Sequence, residues 1–122
     1  MINKNQTYAV VGASANEEKY GYKVFKDLLE AGYRVMPVNP KGGEILGSKV
    51  YPDIKSVPEK IDVAIFVVPP AVTEKILPEV KALAIKKVWL QPGSESEKAF
   101  GYCQNNNLDC IHDACIMIER AK

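Results

Sequence analysis

The segment of residues 7–32 combines a strand, a polar loop and a helix, and it constrains the possible fold more than any other part of the chain. Residues 8–11 form a short, uniformly apolar run, which is typical of a parallel strand covered on both faces. Gly12, Ala13 and Ser14 end this run. After a polar loop, apolar residues recur at helical spacing until Gly32, which occupies the position of a left-handed C-cap.

The turn between this strand and this helix is a candidate phosphate site. Backbone N–H groups at such a turn point towards an anion, and the helix dipole favours negative charge. The dinucleotide fingerprint G-x-G-x-x-G requires three glycines at fixed offsets, whereas no glycine follows Gly12 until Gly21. The loop is therefore longer than the dinucleotide version. The residues leave two interpretations open, a nucleotide phosphate site or a tight turn that Gly12 permits.

The composition indicates one globular domain over residues 1–122. Hydrophobic residues make up 47% and charged residues 25% of the chain, and no apolar run is long enough to cross a bilayer. The first residues lack the apolar core of a signal peptide, so we expect a cytoplasmic protein. The net charge is +1 with both signs interspersed, which predicts a small-molecule ligand and neither a nucleic-acid nor a membrane partner.

The cysteines favour neither a disulfide framework nor a metal centre. Cys103, Cys110 and Cys115 form an odd set without C-x-x-C spacing, so we expect reduced thiols. Cys110, His112 and Cys115 could supply three zinc ligands, but no fourth ligand lies nearby in the sequence.

Further strands alternate with helices along the chain. Apolar runs predict strands at residues 33–38, 62–68, 87–91 and 109–111, and residues 47–52 predict a brief edge strand or an extended connector. A helix after Pro70 is expected to bury Val72, Ile76, Val80 and Leu83. Pro78 is expected to bend this helix near Leu77 without splitting it, because the apolar stripe continues past the proline. The next helix is expected to begin at Ser94, where Glu97 completes a capping box. A last helical segment is expected at about residues 114–120.

This alternation predicts an α/β fold, a Rossmann-like doubly wound parallel sheet in three α/β/α layers. Ligands of such sheets bind beyond the carboxyl ends of the strands, where the strand order reverses. Four strand ends are candidates: Gly12, Ala13 and Ser14; Val38, Asn39 and Pro40; Val68, Pro69 and Pro70; and Gln91, Pro92 and Gly93. Their proline and glycine content predicts a cleft lined by backbone groups and apolar surface, without titratable side chains.

The end of the second strand bears on the kind of nucleotide. An NAD-binding fold usually places an acid there to hydrogen-bond the ribose hydroxyls, whereas this chain has the amide of Asn39 and the cation of Lys41. Either the adenosine pocket accepts an additional phosphate, or Asn39 and Pro40 form a simple turn and Lys41 is solvated.

Taken together, these strand ends resemble the small single-domain CoA-binding proteins related to the N-terminal domain of the succinyl-CoA synthetase alpha subunit. The resemblance covers residues 8–118 and depends on the motifs GAS, GYRVMPVNPKGGEILG, VYPDIKSVP, DVAIFVVPP, KVWLQPG and DACIMIE. The phosphorylated histidine of the synthetase lies in a second domain, and His112 does not match it.

The resemblance implies a bound coenzyme A. Its pyrophosphate would lie on the loop of Gly12, Ala13 and Ser14, and its adenosine near Val38, Asn39, Pro40 and Lys41. Lys19 and Lys41 would suit the phosphates, and Val68, Pro69 and Pro70 would contact the adenine or the pantetheine. The further predicted ligand contacts are Tyr20, Gln91, Pro92, Gly93 and Cys115.

These expectations favour a protein that binds CoA or an acyl-CoA and has no catalytic residues of its own. The alternatives are a CoA-ligase component that acts with a separate subunit, and an NADP-dependent oxidoreductase, for which this chain has little room beside the nucleotide fold. A homodimer is also expected, because small doubly wound domains often cover a sheet edge in this way.

Cys115 has two interpretations. It follows the last strand and precedes a helix, so an oxidant could join it to the CoA thiol as a mixed disulfide. Alternatively, it is a small buried side chain under the last helical turn.

Overall fold

A computed structural model describes residues 2–122. The elements in chain order are β1 (Thr7–Val11), α1 (Tyr20–Glu30), β2 (Arg34–Val38), β3 (Glu44–Ile45), β4 (Ser48–Lys49), a 3-10 turn (Ile54–Ser56), β5 (Val63–Phe66), α2 (Pro70–Ala82), β6 (Lys87–Leu90), α3 (Glu97–Asn105), β7 (Asp109–Ile111) and α4 (Ile116–Ala121).

The main sheet has five strands in the order β2-β1-β5-β6-β7, and all neighbours are parallel. The chain moves outward from β1 to β2 and then returns to place β5 on the other side of β1. The strand order therefore reverses between β1 and β5, and the predicted doubly wound α/β sheet is confirmed. Within residues 2–122, no helix is long and apolar enough to cross a membrane.

The two faces of the sheet carry separate apolar cores. Tyr8 and Val10 of β1 pack in one cluster with Phe25 of α1 and Ile116 of α4. Ala9 and Val11 point to the other face, where the cluster includes side chains of α2 and α3. Burying a large apolar side chain such as Phe25 contributes about 1.5 to 3 kcal/mol. The helices thus form a layer on each side of the sheet, as the alternating pattern predicted.

The buried face of α2 differs from the predicted one. Thr73, Leu77 and Val80 are buried, whereas Leu83 is the C-cap residue and is 40% exposed. The prediction counted only apolar residues and therefore passed over a threonine on the inner face. Pro78 lies within an uninterrupted helix and is exposed, so the helix is not split.

The predicted capping box at Ser94 is wrong. The N-cap of α3 is Ser96, whose Oγ accepts a hydrogen bond from the N–H of Ala99 at 3.0 Å. Ser94 instead lies in a turn, where its N–H donates to the carbonyl of Gln91, and its side chain is buried. Its Oγ accepts from the N–H of Val68 at 3.0 Å, which joins the loop after β6 to the loop after β5.

Residues 44–51 form a small hairpin that the sequence did not predict, and Tyr51 at its end makes the brief edge pairing that was predicted within residues 47–52. Strands β3 and β4 pair antiparallel, and the turn residues Leu46 and Gly47 both have positive φ. Tyr51 then pairs with Val38 beside β2. The hairpin consequently projects next to the carboxyl end of β2.

Candidate functional site

A cleft of about 750 Å³ opens at the carboxyl ends of β1 and β5, where the strand order reverses. It lies where ligands of doubly wound sheets bind. The residues that line it are Gly12, Ala13, Ser14, Ala15, Asn16, Glu18, Lys19, Tyr20, Gly21, Asn39, Lys41, Gly42, Glu44, Ile45, Val50, Val67, Val68 and Pro69.

The cleft brings together many of the residues predicted from the sequence. Those that line it are Gly12, Ala13, Ser14, Lys19, Tyr20, Asn39, Lys41, Val68 and Pro69. The other predicted residues, which are not among the lining residues, are Val38, Pro40, Pro70, Gln91, Pro92, Gly93 and Cys115. The ends of β1, β2 and β5 thus share one cavity, and the end of β6 lies beside it.

Two glycines allow the backbone to close tightly around the floor of the cleft. Gly12 has φ +99°, and a Cβ there would overlap the carbonyl of Val67. Gly21 lies in the first turn of α1, and a Cβ there would overlap the carbonyl of Gly12. Gly21 therefore provides the close helix-to-strand packing that the third glycine supplies in the shorter dinucleotide loop.

The N-terminus of α1 is open towards this floor. Its N-cap is Lys19, no side chain caps it, and its first turn has no acidic residue. Within residues 2–122, the backbone N–H groups of Ala13, Ser14, Tyr20 and Gly21 have no hydrogen-bond acceptor. Free N–H groups at the positive end of a helix dipole favour an anion. The arrangement is therefore suited to a phosphate.

Asn39 fixes the loop after β1 to the turn after β2. Its Nδ2 donates to the carbonyl of Ala13 at 2.7 Å, and its Oδ1 accepts from the N–H of Lys41 at 2.9 Å. The N–H of Gly42 donates to the carbonyl of Asn39, which closes the turn expected from the sequence. Because both ends of the amide are engaged, Asn39 positions the cleft wall, while the exposed side chain of Lys41 stays available at the cleft.

Carboxylates also line the cleft, contrary to the prediction of an exclusively apolar and backbone lining. Glu18 lies in the loop before α1, and Glu44 is carried by β3. The hairpin brings Glu44 next to the end of β2, where the sequence had indicated only an amide and a cation. An acid is therefore present at this cleft, and its absence does not distinguish CoA from NAD.

Beside the cleft, Gln91 joins the end of β6 to the start of α4. Its side chain is buried, with Oε1 accepting from the N–H of Ile116 at 2.8 Å and Nε2 donating to Sγ of Cys115 at 3.4 Å. Cys115 is the N-cap residue of α4 and is partly exposed. It is thus neither fully buried nor a lining residue of the cleft, and its disulfide with CoA stays a prediction.

The other two cysteines interact across α3 and β7. Interaction with the neighbouring thiol of Cys110 lowers the pKa of Cys103, and the same interaction, together with burial, raises the pKa of Cys110. All three cysteines are free. Among residues 2–122, no three His, Cys, Asp or Glu side chains are grouped as a metal site would require.

Comparison with known proteins decides the family. A family model described as a CoA binding domain matches residues 6–121, nearly the whole chain. The chain belongs to this CoA-binding family. The membership expected from the sequence motifs is confirmed.

Relatives of this CoA-binding chain fall into two kinds. It is 38% identical over 85 residues to the ADP-forming acetate–CoA ligase of Methanocaldococcus jannaschii, a match that covers 70% of the chain and only 12% of the ligase. It is 30% identical over 125 residues to an uncharacterized protein of Bacillus subtilis, YneT, covering 99% of the chain and 90% of YneT. A conserved hypothetical protein from Pyrococcus furiosus has 41% identity and a TM-score of 0.90, with coverage of 93% and 98%.

In this CoA-binding domain, sequence reasoning missed Gly21 and Glu44 for different reasons. Gly21 carried a usable signal, because a glycine in the first turn of a helix is otherwise unfavourable. Glu44 lies within a motif of the resemblance but was not predicted as a ligand contact, since strands of two residues have no periodicity and the hairpin could not be placed beside β2.

Proposed function

We propose that this protein binds CoA or an acyl-CoA in the cleft and does not itself catalyse a reaction. The main support for the proposal is the open N-terminus of α1. Its free N–H groups lie where the strand order reverses, and the chain belongs to a CoA-binding family. CoA is an anionic ligand with a pyrophosphate and a separate 3′-phosphate, so it requires more than one cationic or N–H-rich position.

The cleft provides such positions at two places. The pyrophosphate accepts hydrogen bonds from the N–H groups of Ala13 and Ser14 and is neutralised by Lys19, all of which line the cleft. Lys41, beyond the end of β2, binds the 3′-phosphate. Charge-assisted hydrogen bonds of this kind are about twice as strong as neutral ones. The apolar surface of Val68 and Pro69 contacts the less polar parts of the ligand.

The lining residues support binding without catalysis. Neither a histidine nor a cysteine is among them. Ser14 is the candidate nucleophile, but its Oγ accepts a hydrogen bond from the N–H of Asn16 at 3.0 Å and has no side-chain base as a partner within residues 2–122. A serine needs an adjacent base to act as a nucleophile.

A component of a CoA ligase is the second candidate, favoured by the match to the acetate–CoA ligases. The chain spans only 12% of the length of the M. jannaschii enzyme, so ligase chemistry would require a separate subunit. Affinity purification from the native cell distinguishes the two proposals. A ligase component recovers a partner and forms acyl-CoA when acid, CoA and nucleotide triphosphate are added, whereas a binding protein does neither.

Calorimetric titration tests the proposed function. We expect CoA to bind more tightly than NAD, because NAD shares the pyrophosphate that meets the start of α1 but lacks the additional phosphate that meets Lys41. Tighter binding of NAD than of CoA would contradict the proposal. Mass spectrometry of small molecules released on denaturation then distinguishes free CoA from an acyl-CoA.

Substituting Lys41 tests where the 3′-phosphate lies. We expect Lys41→Ala to weaken CoA binding by about 1 to 3 kcal/mol, the range for hydrogen bonds to charged groups. The loss should largely disappear with dephospho-CoA, which lacks this phosphate. Lys55→Ala is the matched control, because Lys55 is exposed on the 3-10 turn and does not line the cleft. Equal losses for both ligands would instead assign Lys41 to the pyrophosphate or to packing.

A further inference from the structure

Glu44 offers an unengaged carboxylate in a cleft that otherwise suits anions. It is exposed on β3 and lines the cleft. Its cross-strand partner is Lys49, but the Nζ of Lys49 lies 5.3 Å from the ring centroid of Tyr51. Within residues 2–122, no ion pair joins Glu44 to a cation. The fold thus leaves this carboxylate free to accept hydrogen bonds from a ligand.

The chemistry of CoA restricts what this carboxylate can contact. A carboxylate is an acceptor only, and the phosphates of CoA are acceptors with negative charge. At the adenosine end, the remaining donors are the 6-amino group of adenine and the 2′-hydroxyl of the ribose. Two like charges about 4 Å apart repel by about 1 kcal/mol even in water. Since the 2′-hydroxyl adjoins the 3′-phosphate, the 6-amino group at the far edge of the base is the favoured partner.

The surroundings of Glu44 also suit a base. Ile45 and Val50, 5% and 3% exposed, line the cleft beside it, and Val68 and Pro69 provide further apolar lining. A flat aromatic base gains by burial against such surface, provided that its polar edge meets a partner. Glu44 supplies an acceptor next to this apolar part of the cleft.

We propose that Glu44 determines specificity for adenine by accepting a hydrogen bond from its 6-amino group. This inference rests on the proposed function, because it assigns one contact within the same CoA site. A CoA analogue with hypoxanthine in place of adenine presents a 6-oxo acceptor to the carboxylate and is therefore disfavoured. Glutamine at this position can instead donate its amide N–H to that oxygen.

The test measures the ratio of affinities for CoA and for the hypoxanthine analogue. We expect the unmodified protein to favour CoA about tenfold, as for a hydrogen bond that involves a charged group. In Glu44→Gln the ratio should fall to about one or reverse, because the amide can serve either base. Glu18→Gln is the matched control, since Glu18 also lines the cleft but lies in the loop before α1. It should leave the ratio at its original value, whatever its effect on total affinity.

Each outcome supports or overturns the assignment. An unchanged ratio in Glu44→Gln, or no preference in the unmodified protein, overturns it. If Glu44→Gln changes only the preference for CoA over its 2′-deoxy analogue, the carboxylate contacts the ribose and the adenine assignment is wrong. Loss of the preference in Glu18→Gln also overturns it. If the unmodified protein does not bind CoA, the proposed function fails as well, whereas CoA binding with an unchanged ratio refutes only the role of Glu44.

Discussion

Gly12→Val is expected to abolish CoA binding and to destabilise the fold. A side chain at this position would keep the pyrophosphate from the backbone, and the structure adds a more direct reason. A Cβ at Gly12 overlaps the carbonyl of Val67 and the side chain of Val68, so the chain itself occupies the space. Gly12 also has φ +99°, a conformation that β-branched residues strongly disfavour. The ends of β1 and β5 would have to separate, and the cleft between them would lose its shape.

A pair of milder variants separates backbone strain from the overlap. Gly93 has φ +95° and nothing within 4 Å of an added Cβ, so Gly93→Ala introduces strain alone, about 1 to 2 kcal/mol. Gly12→Ala adds overpacking of about 1 to 3 kcal/mol to a similar strain. Urea unfolding of both variants measures the difference in the free energy of unfolding. Equal losses, or a stable Gly12→Val protein with normal CoA affinity, would mean that Gly12 does not form the floor of the site.

Much of the fold could be predicted because its signals are local. Each central strand contains a continuous apolar run that is followed, directly or after Gln91 in the case of β6, by glycine or proline, and β7 lies at the residues predicted for it. Parallel strands covered on both faces produce such runs, and alternation with helices then fixes a doubly wound sheet. The same reasoning located the loop after β1 and Lys41, because ligands of this fold bind beyond the strand ends.

The missed features depend on contacts between distant parts of the chain. The sequence analysis placed the cap of α3 at Ser94, and only the hydrogen bond from the N–H of Val68 shows why Ser94 is buried in a turn. Strands β3 and β4 are too short to show alternation, so Glu44 could not be assigned to the cleft. Gln91 was predicted as a ligand contact from its place at a strand end, but its amide is engaged by Ile116 and Cys115.

Gly21→Ala is expected to destabilise the protein and weaken CoA binding, although alanine is the better helix former. The added Cβ overlaps the carbonyl of Gly12, which cannot retreat freely because the N–H of Gly12 donates to the carbonyl of Val38 at 3.0 Å. Overpacking of about 1 to 3 kcal/mol therefore exceeds the gain of about 0.5 to 1 kcal/mol from replacing a helical glycine. Moving α1 also displaces the N–H groups of its first turn, so we expect CoA affinity to fall about tenfold or more.

Gly101→Ala is the matched control for this prediction. Gly101 also lies within a helix, α3, and an added Cβ meets nothing within 4 Å. The substitution should therefore stabilise the protein by about 0.5 to 1 kcal/mol and leave CoA affinity unchanged. Urea unfolding and calorimetry on both variants provide the comparison. The opposite outcome would be a Gly21→Ala protein that is stabilised as Gly101→Ala is and binds CoA normally. In that case α1 does not pack closely against the loop after β1, and its N-terminus does not bind the pyrophosphate.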